Sequence, residues 1–184
     1  QQKSNPSFLQ SLQLEYPDAL IIPEGGSGGP GVRGAQEILS LLPDAEHYTH
    51  GCCAAGTGTT LAGLLNASLK HQQIIGISIL KGTHGIEPLN SSFIQDREKI
   101  NRLRVIHDYH FGGYAKQTPA LLDFMNELYS ASGIPTDFVY TGKLLYAVAD
   151  LALNNYFPAG SRILIIHSGG LQGNLSLAPG RLEF

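Results

Sequence analysis

Short, continuous apolar segments alternate with segments of helical periodicity along this chain, and this alternation limits the fold more than any other feature. The apolar segments predict strands at 20–24, 47–54, 73–80 and 162–167. Strands without polar alternation are buried on both faces, as in a parallel sheet covered by helices. The sequence therefore predicts an α/β fold of three layers, with a mostly parallel sheet and helices on both faces.

The segments between the predicted strands carry helix signals. Thr118 followed by Pro119 places proline at a first helical position, and Ser92 with Gln95 forms a capping box. The helical segments are 33–42, 60–71, 94–105, 120–131 and 141–155. Because no repeat or linker interrupts the pattern, residues 1–184 are interpreted as a single domain.

Composition excludes several classes of partner. The formal net charge of −3 gives no electrostatic basis for binding nucleic acid or an anionic membrane. No apolar segment reaches the roughly 20 residues that a membrane span needs, and residues 1–10 lack the apolar core of a signal peptide. Adjacent Cys52 and Cys53 are interpreted as small buried residues, since a bridge between neighbours is strained. We therefore expect a cytoplasmic protein without nucleic-acid or membrane partners.

Loops rich in glycine and small polar residues follow four of the predicted strands. They come after Glu24, Ala55, Leu80 and His167. In parallel sheets, ligands bind at the carboxyl ends of the strands, so these loops predict one shared site. The loop after Ala55 consists of Gly56, Thr57, Gly58, Thr59 and Thr60, and it leads into a helix. Free N–H groups at a helix N-terminus bind anions, so this loop predicts a phosphate site.

Other phosphate and metal motifs fit less well. The loop begins like a dinucleotide fingerprint, but Leu61 stands where glycine or alanine is needed, and Lys81 stands where an acidic residue is expected. No glycine loop ends in the Gly-Lys-Ser/Thr of a P-loop. His47 and His50 lie three apart on a predicted strand and point to opposite faces, and we predict no metal site. Two readings stay open: a small phosphate ester such as pyridoxal phosphate, or a non-catalytic phosphate- or nucleotide-binding α/β domain.

Five motifs, in order, carry a family resemblance. They are IIPEGGSGGPGVRG, AAGTGTTLAGL, HFGGYAK, FVYTGK and IIHSGGLQG. Their order and spacing resemble the 1-aminocyclopropane-1-carboxylate deaminase and D-cysteine desulfhydrase family from about Leu20 to Gly173. These are pyridoxal phosphate enzymes of fold type II, the fold of the tryptophan synthase β-subunit. The resemblance implies pyridoxal 5′-phosphate as cofactor, a small amino acid as substrate and a homodimer for the full-length enzyme.

The resemblance also implies roles for individual residues. The residues Ala55, Gly56, Thr57, Gly58, Thr59 and Thr60 match the family's phosphate-binding loop. Tyr140 and Tyr114 match two active-site tyrosines, and the first is proposed to act on the substrate in the deaminases.

Two hydroxyl residues indicate which activity to expect. Thr141 stands where the deaminases have a glutamate near the pyridine nitrogen, and Ser168 stands where the desulfhydrases have a threonine. A carboxylate beside the pyridine nitrogen favours its protonated form, and the protonated ring is a strong electron sink. A hydroxyl favours that protonation less. The pair Thr141 and Ser168 therefore indicates desulfhydrase-like β-elimination rather than opening of a cyclopropane ring.

The lysine that forms the Schiff base has no counterpart in this chain. The lysines are at positions 3, 70, 81, 99, 116 and 143, and none has the family's sequence context. The resemblance therefore implies that the chain is the C-terminal portion of an enzyme whose N-terminal segment carries that lysine. We expect the 184-residue chain alone to be inactive.

Overall fold

The computed structural model describes residues 5–82, 93, 94 and 96–184. Within these ranges the chain forms five α-helices and four strands. In chain order they are α1 Pro6–Glu15, α2 Gly29–Ser40, β1 His50–Ala55, α3 Thr59–Ala67, β2 Gln73–Ser78, β3 Leu103–Ile106, α4 Pro119–Ser132, α5 Thr141–Leu153 and β4 Ile163–Ile165. No helix in the described ranges is long and apolar enough to cross a membrane.

The four strands form one parallel sheet in the order β3-β2-β1-β4. In register, His50 pairs with Gln73 and Ile163, and Ile74 pairs with Leu103. All four carboxyl ends consequently lie at one edge of the sheet. The predicted parallel α/β architecture is confirmed.

Helices cover both faces of the sheet, as the apolar strands predict. Cys53 lies on the face that packs against α2 and α3, whereas Cys52 lies on the face that packs against α5. Both cysteines are buried free thiols, and burial raises the pKa of Cys52 to about 12. Helix α4 lies beyond α5, where its Met125 packs with Phe138 and Val139.

The predicted strand at 20–24 is wrong. Among the described residues this segment pairs with no strand, and the side chains of Leu20 and Ile22 are 87% and 73% exposed. Pro23 has no N–H to donate to a ladder, and a 3₁₀ turn begins at Glu24. The residues were apolar enough for a buried strand, but no partner strand covers them.

The predicted helix at 94–105 is also wrong. A 3₁₀ helix spans Arg97–Arg102, and residues 103–106 form strand β3 at the edge of the sheet. Leu103 and Val105 face the core, as alternate residues of a strand do. Pairing with β2 is a tertiary interaction that outweighs the local helix propensity of this segment. The predicted capping box of Ser92 and Gln95 lies outside the described residues. Asp96 provides the cap, since its carboxylate accepts the Glu98 N–H at 2.9 Å.

Other boundaries differ by a few residues. Helix α2 begins at Gly29, four residues before the predicted start, and the strand predicted at 47–54 begins at His50, after a 3₁₀ turn over Ala45–His47. Helix α1 had no sequence prediction, and none of its residues is buried.

Candidate active site

A cavity of about 670 Å³ lies at the carboxyl edge of the sheet. Its wall is formed by the loops after β1, β2 and β4, by the turn containing Glu24 and Gly25, and by Tyr114 and Tyr140. Three of the four predicted loops, those after Glu24, Ala55 and His167, therefore contribute to the same cavity. At the fourth position Ile79 and Leu80 line the cavity, and residues 83–92 of the following loop lie outside the described residues. The topology explains this, because parallel neighbouring strands end side by side.

The loop after β1 presents a helix N-terminus to the cavity. Helix α3 begins at Thr59, and its first backbone bond runs from the Ala62 N–H to the Gly58 carbonyl at 2.9 Å. Within the part of the chain that the structure describes, the N–H groups of residues 56–60 donate no hydrogen bond to protein. These free donors at the positive end of the helix dipole are suited to bind an anion.

Two glycines make the shape of this loop possible. Gly58 precedes α3 with φ of 83°, a left-handed conformation that costs little only for glycine. Gly25 approaches from the turn before α2, and a Cβ there would lie 2.6 Å from the Thr57 side chain. The close approach of this turn fixes Thr57, whose hydroxyl lies 3.0 Å from that of Thr59.

The two predicted tyrosines meet in the cavity. Tyr114 comes from the loop after β3, and Tyr140 immediately precedes α5. Their ring centroids are 6.1 Å apart and their planes are nearly perpendicular at 74°. Burial, and next the Tyr114 hydroxyl, raise the pKa of Tyr140 to about 12, with smaller contributions from Asp137 and Glu24. Tyr140 is therefore protonated at neutral pH and can donate a proton.

Ser168 lies in the loop after β4 and lines the cavity, as predicted. The preceding His167 fixes this loop at both ring nitrogens. Its Nε2 donates to the Pro135 carbonyl at 2.9 Å, and its Nδ1 accepts the Gly169 N–H at 3.3 Å. The loop that carries Ser168 is thereby held beside β1, the strand that leads into residues 56–60.

Two predicted site residues lie outside the cavity. Ala55 ends β1, is 1% exposed, and contributes its carbonyl to the Ile79 N–H. Thr141 is fully buried, and its hydroxyl donates to the Asp137 carboxylate at 2.6 Å and accepts the Asp137 N–H at 2.8 Å. The structure thus does not bring Thr141 to the cavity, although it follows Tyr140 directly, because Asp137 holds its hydroxyl.

Asp137 organises the start of α5, and the sequence analysis missed it. One carboxylate oxygen accepts the N–H groups of Val139 and Tyr140 at 2.9 and 2.7 Å, and the other accepts the Thr141 N–H at 2.9 Å. The carboxylate therefore satisfies free donors at the helix N-terminus and fixes the backbone of Tyr140. An aspartate just before a predicted helix could have indicated this capping role. From the sequence, a role in this segment was assigned only to Tyr140 and Thr141.

Away from the cavity, three side chains could approach one metal ion. The ligand atoms of Asp44, Glu46 and His47 lie within 4.8 Å of one another, but all three residues are exposed. Exposed acidic side chains are ordinarily solvated. We assign no metal to them.

Comparisons with known proteins identify relatives of this arrangement. A provisionally named 1-aminocyclopropane-1-carboxylate deaminase of Pyrococcus horikoshii is 31% identical over 90% of this chain and 54% of its own length. The bifunctional D-cysteine desulfhydrase/1-aminocyclopropane-1-carboxylate deaminase of Arabidopsis thaliana, named as mitochondrial, is 28% identical over 91% of this chain and 45% of its own. The chain is therefore similar in sequence to a named deaminase and to a named bifunctional desulfhydrase/deaminase.

A solved structure agrees with the sequence matches. The crystal structure of an ACC deaminase homologue, where ACC is 1-aminocyclopropane-1-carboxylate, superposes with a TM-score of 0.75 at 27% identity. The match covers 91% of this chain and 54% of the chain in that crystal structure. The chain thus spans about half the length of its deaminase and desulfhydrase relatives. No family model matches it.

Proposed function

We propose that this chain forms the phosphate-binding and tyrosine-bearing part of a pyridoxal phosphate-dependent deaminase or desulfhydrase. One observation supports this most strongly: the unpartnered N–H groups of residues 56–60 border the same cavity as Tyr114, Tyr140 and Ser168. These donors suit a phosphate, and the cavity of about 670 Å³ has room for a small cofactor and an amino acid.

Each cavity residue has a role in this proposal. The N–H groups of residues 56–60 and the Thr60 hydroxyl hold the phosphate. Ser168 is the hydroxyl partner of the pyridine nitrogen. Tyr140 keeps its proton at neutral pH and delivers it to the reacting substrate. Tyr114 packs edge-to-face with the Tyr140 ring and so holds that ring in position. When bound, pyridoxal phosphate withdraws electrons from the substrate Cα.

No lysine lines the cavity in the part of the chain that the structure describes. Lys99 donates to the carbonyls of Asn66 and Ser68, and Lys143 donates to the carbonyls of His110 and Gly113. We therefore propose that the Schiff-base lysine belongs to a segment outside these 184 residues, so that the chain alone does not turn over substrate.

Among the two named activities we propose D-cysteine desulfhydration. Of the two hydroxyl residues, Ser168 lines the cavity and Thr141 does not, so Ser168 alone favours this choice. A hydroxyl beside the pyridine nitrogen holds a proton there less strongly than a carboxylate would, which weakens electron withdrawal from the substrate. Expulsion of a good leaving group such as a thiol depends less on this withdrawal than opening of an unactivated cyclopropane.

The test is to supply pyridoxal phosphate to the full-length protein and assay both substrates. We expect sulfide from D-cysteine and less 2-oxobutanoate from 1-aminocyclopropane-1-carboxylate. Efficient conversion of the cyclopropane substrate without sulfide release would reverse the choice between activities. Phosphate binding without turnover of either substrate would support the non-catalytic alternative.

Thr60→Ala should weaken pyridoxal phosphate binding to the full-length protein by about 1–2 kcal/mol, because one hydrogen bond to a charged group is lost. Equilibrium titration followed by cofactor fluorescence measures the change. Thr118→Ala is the matched control, since Thr118 caps α4 by accepting the Leu121 N–H. That variant should lose about 1 kcal/mol of stability and keep its cofactor affinity. Equal cofactor affinities for the two variants would contradict the role of Thr60.

A further inference from the structure

Lys143 is a buried ammonium group that the proposed reaction does not use. It lies in the first turn of α5, three residues after Tyr140, and its side chain is fully buried. Burial lowers the pKa of Lys143 to about 8, and the charge of Asp137 opposes this shift, so most of the amine is charged at pH 7. Because a buried charge is costly, its hydrogen-bond partners indicate what it does.

Both partners of Lys143 belong to the loop that carries Tyr114. The Nζ atom donates to the His110 carbonyl at 2.8 Å and to the Gly113 carbonyl at 2.7 Å. Gly113 directly precedes Tyr114, so one bond ends at the residue next to the tyrosine. The amine therefore ties both ends of a short turn to helix α5.

Two residues that flank the glycines of this turn have an uncommon backbone conformation. Phe111 and Ala115, on either side of Tyr114, each have φ of 51°, which is uncommon for residues other than glycine. Such conformations persist where the surrounding contacts hold them in place. The local bonds of the turn run from the Gly113 N–H to the His110 carbonyl at 3.0 Å, from the Lys116 N–H to the Gly113 carbonyl at 3.2 Å and from the Gly112 N–H to His110 Nδ1 at 2.9 Å. The two bonds from Lys143 add a link from outside the turn.

We propose that Lys143 is a positioning residue that fastens the Tyr114 loop to the turn of α5 next to Tyr140, so that the two phenols meet at the cavity. The inference rests on the proposed function for its catalytic consequence. It explains why a costly buried charge is present: the same helix start holds Tyr140 through Asp137 and Tyr114 through Lys143.

Hydrogen exchange tests the structural half without any assay of activity. In the full-length protein, Lys143→Met should speed exchange of the amides in residues 110–116, measured by mass spectrometry, and leave α2 unchanged. Lys70→Met, which removes an exposed lysine, is the matched control and should alter neither region. Lys143→Gln keeps an N–H donor on a shorter side chain and provides a second variant if the methionine variant misfolds. Unchanged exchange at residues 110–116 in a folded variant would overturn the inference.

A double-mutant cycle tests the catalytic half. With pyridoxal phosphate bound, Lys143→Met should lower kcat by about 10- to 100-fold, the scale for a misplaced catalytic group, at unchanged cofactor affinity. In a Tyr114→Phe background the same substitution should lower kcat less than about twofold, because its target is already lost. Equal losses in both backgrounds would contradict action through Tyr114. If the wild-type protein had neither activity, the proposed function would be contradicted but the positioning role of Lys143 would not. The hydrogen-exchange experiment tests that positioning role separately.

Discussion

Replacing Asp137 with asparagine is expected to lower the free energy of unfolding by about 3 kcal/mol, the scale for losing charged hydrogen bonds and leaving a buried donor unpaired. The carboxylate is fully buried and accepts three N–H groups and the Thr141 hydroxyl. An asparagine amide would direct its own N–H₂ at the Thr141 donors. Urea denaturation with linear extrapolation measures the difference.

Asp123→Asn is the matched control for this substitution. Asp123 is exposed on α4, so its loss should change the free energy of unfolding by less than about 0.5 kcal/mol. If Asp137→Asn were as mild as the control, the carboxylate would not be holding the start of α5. The positioning of Tyr140 described above would then need another cause.

Removing the Tyr140 hydroxyl with Tyr140→Phe should lower kcat of the full-length enzyme by at least about 100-fold, the scale for losing a positioned proton donor. The phenol borders the cavity, and its pKa of about 12 keeps the proton in place. For the same reason, ionisation of Tyr140 should cause no fall in activity below about pH 11, one unit under that pKa. Steady-state kinetics at several pH values measures both effects.

Tyr16→Phe removes a phenol that is 55% exposed and distant in sequence, and it should leave kcat unchanged. Cofactor affinity should be the same in both variants, because the phosphate site lies on the loop 56–60. A Tyr140→Phe enzyme with wild-type kcat would remove this residue from the chemistry. A loss of cofactor affinity equal to the loss of kcat would make Tyr140 a binding residue.

The fold could be predicted where burial and pattern agree. Strands β1, β2 and β4 have apolar or small residues through their centres, and helix α4 has both a threonine cap and an initial proline. Strand β3 could not be predicted, because its residues continue an apolar pattern that also suits a helix. Its strand conformation comes from pairing with β2, which is a tertiary effect.

The candidate site was predictable to the extent that it consists of loops at strand ends. Parallel order brings the loops after β1 and β4 together, so Ser168 and residues 56–60 share a cavity. The resemblance implies that Thr141 lies near the pyridine nitrogen, but Asp137 holds its hydroxyl and Thr141 does not line the cavity. Asp137 acts through bonds to the next few residues, so its position before a predicted helix was an available signal, whereas Lys143 bonds to backbone 30 and 33 residues away, which no local pattern reports.

Two further expectations concern the whole protein. The homodimer and the cytoplasmic location stay predictions from the sequence resemblance and composition. Size-exclusion chromatography with light scattering on the full-length protein measures the first.

The most direct test of the central claim is a crystal structure of the full-length protein grown with pyridoxal phosphate. We predict that the phosphate oxygens lie within hydrogen-bond distance of the N–H groups of residues 56–60, with the ring between that loop and Ser168. A phosphate bound elsewhere, with those N–H groups facing only solvent, would contradict the account.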